Sequence, residues 1–281
     1  MPCTGSMLAG CIAFTLAFAE AASALGGMPC AGPAPGPTHS VIRVLDGETV
    51  VLDDGRELRL TGVLAPRALD AGAEPGKWPM ESAASEALRA LVLGKSVELH
   101  LAQESTDRYG RLQAHAFLIE GDERHWVQGA LLQHGLARAH PLVGDRTCSE
   151  HLLAAERPAR ETRRGLWAEA AYQVRSADKP ADLMRFRTTF QIVEGTIARV
   201  AQVREAIYLN FDRNWRRGFS VSLRRDGSAT LGAYANNPKG LEGRRVRVRG
   251  WIDERGGAPV IDVSGGGPIE VLEAPARPDG R

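Results

Sequence analysis

The sequence predicts a mainly β protein with helices, built as two small barrels in series. Residues Val41 to Arg67, VIRVLDGETVVLDDGRELRLTGVLAPR, read as three short strands joined by tight turns. Helical segments are interspersed with further strands as far as Gly165, and from Phe190 onward short strands recur between turn residues with no helical period. At 281 residues the chain has room for two domains, and 43% apolar with 25% charged residues excludes wholesale disorder.

The chain opens on an apolar run, Met7 to Ala24, that ends in Ala22-Ser23-Ala24, the small-x-small shape of a signal-peptidase site. Residues 1–24 are therefore expected to be a signal peptide and the mature protein to be exported, periplasmic or secreted. No other stretch approaches a membrane span, so no stable span is expected after signal removal. Cleavage would remove Cys3 and Cys11 and leave Cys30 and Cys148. In an oxidising compartment those two are candidates for a disulfide, with two unrelated thiols as the alternative. Residues 25–39 read as a Pro/Gly/Ala linker.

Val41 to Leu45 is β-branched and apolar, Asp46-Gly47 is a tight-turn pair, and Glu48 to Leu52 returns as the second strand. Asp53-Asp54-Gly55 turns into a third strand, Arg56 to Val63. A meander this short needs a helix or more strands to close over it. Arg67 to Pro79 is a Gly/Ala/Pro loop with Trp78 as its large anchor, and Met80 to Leu93 is a helix stopped by Gly94. Lys95 to Leu101 and Gln113 to Ile119 are strands joined by the loop Gln103 to Leu112. Trp126 to Gly135 and Cys148 to Arg164 are helices, and Pro158 should kink or break the latter near Ala154. Five strands with one helix between the third and fourth is the order of an OB-fold barrel.

Tyr172 to Arg187 reads as a polar connector with a short helix at Ala181 to Phe186. The second β unit has strands at Phe190 to Val200, Ile207 to Phe211, Phe219 to Leu223, Arg244 to Ile252 and Val260 to Val263, with Pro268 to Leu272 a sixth candidate. Arg225 to Lys239 reads as a turn-rich loop. The domain scheme is thus a barrel at 40–171, a connector at 172–189, a second small OB-like barrel at 190–273 and a tail at 274–281.

Four motifs in register then carry a family resemblance: Asp46-Gly47-Glu48-Thr49-Val50, Arg59-Leu60 running to Pro66, Thr106-Asp107-Arg108-Tyr109-Gly110-Arg111, and Gly165-Leu166-Trp167. Over roughly Ser40 to Ala171 the chain resembles the thermonuclease (staphylococcal nuclease-like) family. The resemblance implies a calcium-dependent phosphodiester hydrolase in which carboxylates hold the metal and arginines brace the phosphate. By position, Arg59 and Arg111 match the two catalytic arginines, Glu48 a metal-ligand aspartate and Asp46 its neighbouring acid. Arg108 and Tyr109 match substrate-side positions. Where the family has a second metal-ligand aspartate stands Leu64, the following residue is Ala65, and the general-base position is Arg67. With Arg59, Arg67 and Arg111 expected to converge on only two acids, the calcium site is expected to be weak or lost and a phosphate-bearing ligand favoured, with Arg67 on the substrate side. The longer reach of Glu48, or Asp70 or Glu74 from the following loop, is a route to partial compensation. An ion pair from Arg59 to Asp46 or Glu48, with no ligand at all, is the plainer alternative.

The net charge of +1 hides an asymmetry: Lys+Arg against Asp+Glu is 17 against 20 over residues 40–175 and 18 against 13 over 176–281. In the second half Arg245, Arg247, Arg249 and Trp251 fall on one face of a strand, and Trp215-Arg216-Arg217 sets another aromatic among arginines. Such interleaving suits single-stranded nucleic acid, DNA or RNA. The alternative is a solvated arginine face whose tryptophans cover the edge of the core. The seven histidines show no zinc-binding spacing. The functional expectation is an exported thermonuclease-like protein that binds nucleic acid or another phosphate-bearing ligand and cleaves it weakly. A non-catalytic nucleic-acid-binding or envelope protein-interaction module on the same fold is the alternative.

Overall fold

The computed structural model of the chain describes residues 28–31, 36–67, 80–140, 146–264 and 269–272. The expected signal segment, the Trp78 anchor, Asp70, Glu74 and the tail lie outside the described residues.

Strands β1 (Thr38–Val44), β2 (Thr49–Leu52) and β3 (Glu57–Leu60) form the expected meander, each paired antiparallel with the next. The third strand stops at Leu60 rather than Val63. Gly62 has φ 80°, and a Cβ there would sit 2.6 Å from a methyl of Leu152, so glycine alone lets the chain turn this close to a helix. Val63 and Leu64 then form the two-residue strand β4, which pairs with β8 (Arg138–Ala139).

Helix α1 (Glu81–Val92) turns Ala84, Leu88, Leu91 and Val92 into the core at helical spacing. Strand β5 (Ser96–Thr106) runs past the expected end at Leu101, and with β6 (Leu112–Glu120) it completes the barrel. The closure is the parallel pairing of β3 with β6, Leu58 opposite Leu112 and Leu60 opposite Ala114. Trp126, expected in a helix, ends a further strand, β7 (Glu123–Trp126), where it pairs with Phe117; α2 (Val127–Gln133) starts after it. Helix α3 (Arg146–Glu161) has no break at Ala154. Ala154 and Pro158 both face solvent, so water can serve the carbonyl that proline leaves without a donor, and the ring meets no packed neighbour.

A disulfide joins Cys30 to Cys148, across a sequence separation of 118, and so ties the segment before β1 to α3.

After β9 (Arg175–Ser176) and the connector helix α4 (Pro180–Met184), the second unit contains β10 (Phe190–Thr196), β11 (Arg199–Val203), β12 (Ala206–Asn210), β13 (Ser220–Arg224), β14 (Arg245–Arg255), β15 (Ala258–Asp262) and β16 (Glu270–Leu272). The single strand expected over Phe190 to Val200 is two. Its first part pairs with β14 and its second with β12, so the segment must bend at Ile197 to serve both neighbours. The turn-rich stretch from Arg225 contains 3-10 turns at Arg225–Tyr234 and Pro238–Leu241. Strand β13 pairs parallel with β15, and β15 antiparallel with β14. With β10 and β11 counted as one bent strand, both units close in the OB-fold order 1-2-3-5-4-1. The chain thus carries two barrels of one topology that no sequence repeat announces.

A shared apolar cluster of Leu64, Ala159, Leu166, Trp167, Tyr172, Phe190 and Ile192 packs the barrels together. Its importance for function lies in Leu64 and Phe190, one from each barrel, because both sit beside the candidate site.

Candidate functional site

The site begins at the first turn. Asp46 accepts the Glu48 backbone N–H at 2.8 Å, which fixes the turn, and a Cβ on Gly47 would lie 2.8 Å from the Ala65 methyl and 3.0 Å from that of Ala84. This close approach drives the Glu48 side chain inward, where it is fully buried. One carboxylate oxygen accepts the Ala65 backbone N–H at 2.7 Å. The other faces the Arg59 Nε at 3.2 Å and an Arg67 guanidinium nitrogen at 3.2 Å. Burial pushes the Glu48 carboxyl above the usual carboxylate range, with Arg59, Arg67 and the Ala65 N–H pulling against it.

Two expectations change here. Arg59 and Arg67 do meet, but on Glu48, while Arg111 is turned to Asp107 at 2.7 Å within the loop between β5 and β6. Although burial opposes it, the hydrogen bonds from the Arg111 side chain and the Arg111 and Tyr109 backbone N–H groups hold the Asp107 carboxyl below its ordinary value. Glu48 does not compensate by reach, since its oxygens already serve two cations and a backbone donor. Leu64 and Ala65 are buried and contribute packing and one N–H.

Tyr109, at the tip of the same loop, is 67% exposed. The guanidinium groups of Arg108 and Arg111 lie 4.8 and 5.4 Å from its ring centre, and Arg108 donates to its hydroxyl at 2.7 Å. This is an exposed aromatic held flat by two cations.

The expected arginine face of β14 is corrected in kind. Arg245, Arg247 and Arg249 do share a face, but acids from three elements meet it. Arg245 and Arg247 pair with Glu194, and Arg247 also pairs with Glu270. Arg249, 5% exposed, pairs with Glu156 of α3 and with Glu270 and donates to the Ala139 carbonyl. Burial works against the charged form of Arg249, but Glu156 and Glu270 outweigh it and raise its pKa. Arg245 and Arg247 thus pair within the second barrel, while Arg249 forms the ionic seam to the first. Trp251 continues the face, 47% exposed, with its ring 5.1 Å from His140 of the first barrel and 5.1 Å from Phe190. Trp215 is exposed in the loop after β12, with Arg216 stacked on it at 5.0 Å.

Sequence reasoning missed His140 and Glu156. His140 follows β8, its backbone N–H donates to the Gly62 carbonyl, and its pKa falls to about 4 through burial, then the charges of Arg59, Arg138, Arg249 and Arg67. No motif marks it. Glu156 had a signal: it falls between Leu152 and Ala159 on the apolar stripe of α3, where a carboxylate requires a partner.

Residues 57–169 match the family model described as staphylococcal nuclease homologue. The first barrel is a thermonuclease-like domain. Over 134 residues the chain is 28% identical to the thermonuclease of Staphylococcus hyicus, covering 47% of this chain and 76% of the relative. It is 36% identical over 107 residues to the thermonuclease of Staphylococcus intermedius, covering 37% of this chain and 60% of that relative. An uncharacterized endonuclease of Escherichia coli is 29% identical over 133 residues, 46% of this chain and 76% of the relative. The family match ends before the second barrel, so Arg249 and Trp251 reach the thermonuclease-like domain from outside the matched region.

The likeness of the first barrel to thermonucleases raises calcium as a ligand, and the described residues test the fit. Calcium takes six to eight oxygens. Near Arg59 and Arg67, the described acids are Glu48, already engaged, and Asp46, which accepts from the Glu48 N–H. Two guanidiniums on one carboxylate are a donor set for an anion rather than for a hard cation. Among the described residues no helix is long and apolar enough to cross a membrane.

Proposed function

We propose that the protein is an exported, nucleic-acid-binding thermonuclease-family protein whose barrel holds a backbone phosphate at Arg59 and Arg67 and hydrolyses it slowly or not at all. The observation that carries this reading is the Glu48 carboxylate, shared by both arginines and the Ala65 N–H. Hydrolysis by the family scheme needs oxygens for a metal and a base for water. Here Leu64 and Arg67 occupy the positions that the resemblance gives to a second metal ligand and that base. Binding is the function the residues still serve. Arg59 is partly exposed and spends its Nε on Glu48, which leaves the rest of its planar fork for phosphate oxygens. Tyr109 and Arg108 supply a flat ring and a charge at the rim, and Arg111 braces the loop through Asp107. Trp215, Arg216 and Arg217 offer a second exposed contact.

The test pairs binding with cleavage on the whole protein from Leu25. A labelled single-stranded oligonucleotide should bind with salt-dependent affinity, and Arg59→Ala should weaken it about tenfold, one charged phosphate contact. Denatured DNA should be cut equally slowly with calcium and with chelator. Rapid calcium-dependent cleavage abolished by Arg111→Ala would overturn the altered-site reading, and absence of any oligonucleotide binding would favour a protein-interaction module.

A further inference from the structure

We infer that Trp251 of the second barrel and His140 of the first form a stacking subsite for an unpaired nucleobase, beside the phosphate position at Arg59 and Arg67. The inference rests on the function proposed above and adds a composite site that neither barrel contains alone. Its geometry follows from the seam. Arg249 anchors β14 to the first barrel through Glu156 and the Ala139 carbonyl, and Trp251, two residues on, projects from the same face. The ring meets that of His140, whose backbone N–H is tied to the Gly62 carbonyl in the turn between Arg59 on β3 and Leu64 on β4. Phe190, opposite Trp251 in register, supports it from behind and packs in the cluster with Leu64, three residues before Arg67. Trp251 is therefore held by two ring contacts and a backbone anchor, yet remains 47% exposed.

Covering the edge of an apolar cluster would account for the contact with Phe190 but not for a tryptophan that stays 47% exposed against His140, a ring that lies within the field of Arg59 and Arg67. A flat ring next to cations is what a nucleotide requires: a surface for the base and charge for the phosphate. The depressed pKa of His140 keeps it neutral at physiological pH, so it can pack against a ring without adding charge.

The test compares an oligothymidine with an abasic oligonucleotide of equal length and charge, by fluorescence anisotropy on the whole protein. The wild type should bind the thymidine strand roughly five- to a hundredfold more tightly, the gain of one stacked base. Trp251→Leu, which keeps an apolar cover over Phe190, should cut the preference for the thymidine strand at least about fivefold, the share of one stacked base, and leave the abasic affinity unchanged. Trp251→Phe, the milder substitution should leucine not fold, should keep an intermediate preference. Arg59→Ala should weaken both strands alike. A leucine or phenylalanine variant with the full wild-type preference overturns the subsite. Salt-dependent binding of both strands without preference also overturns it and leaves the phosphate reading standing, whereas no binding of either strand removes both.

Discussion

At the scale of single residues, Glu48 decides what the site can do. Its buried carboxylate is shared by two guanidiniums and offsets one of their two charges, so Glu48→Gln should leave two cations facing each other across a neutral amide. Stability should fall by about 2–4 kcal/mol, toward the cost of breaking a buried pair, while affinity for phosphate rises because its competitor is gone. Urea unfolding and oligonucleotide titration of the same variant check the two halves of that trade. His140 sets a pH dependence. Its folded pKa of about 4 lies below the ordinary 6.5, so its stabilising contribution is whole above pH 6.5 and is lost as pH falls through about 4. The loss should be no more than roughly 3 kcal/mol, and His140→Phe should flatten the fall in stability between pH 6.5 and 4. Unfolding free energies measured at half-unit intervals test it; an unchanged slope in the variant would assign the fall to other groups.

At the scale of elements, the turn at Asp46-Gly47 and the short strand β4 bring distant residues together. The turn delivers Glu48 because Gly47 admits the close contact with Ala65, and β4 delivers Leu64 and Ala65 because Gly62 lets the chain reverse against Leu152. The disulfide works at this scale too. It closes a loop that contains the whole first meander, so Cys30→Ser with Cys148→Ser should cost about 2–4 kcal/mol. Thiol titration of the unreduced, denatured protein from Leu25 should find none. Much of this level was readable beforehand: alternation placed the strands, and Ala84, Leu88 and Leu91 placed the helix. The bend at Ile197 had Gly195 as its one local signal, since the rest of Phe190 to Val203 reads as strand and its two different partners force the change of direction.

At the scale of the molecule, the two barrels share an apolar cluster and one buried ionic node. Glu156 on α3 meets Arg249 on β14, and Arg249 in turn meets Glu270 on β16. Burial disfavours the charged Glu270, yet Arg249 and Arg247 lower its pKa overall, so Glu270 stays ionised through the neutral range. Glu156→Ala should leave the buried Arg249 with Glu270 and the Ala139 carbonyl but without its carboxylate across the barrels, and should take from Arg160 its partner, at a cost of about 3–5 kcal/mol, with the barrels unfolding in two calorimetric steps in place of one. Glu156→Leu combined with Arg249→Met removes that buried ion pair together, so it should recover part of the loss, the remainder being the Arg160 guanidinium and the Ala139 N–H that Glu156 also served. A single unchanged transition in Glu156→Ala would mean that the apolar cluster alone couples the barrels.

The sequence by itself determined the local elements, the first barrel's family and the residues from which the site is built, because strand alternation, turn glycines and the motif around Asp46 are written in neighbouring positions. The tertiary structure decided what those residues are worth. Arg249 reads as a nucleic-acid contact until Glu156, 93 positions away, is seen to neutralise it, and Trp251 reads as part of a separate surface until His140 meets it. The same stretch around Asp46 offers Glu48 as a metal ligand until Arg59, Arg67 and the Ala65 N–H close on it. Charge and burial are properties of the surroundings, and those surroundings are brought together only when the barrels close and pack.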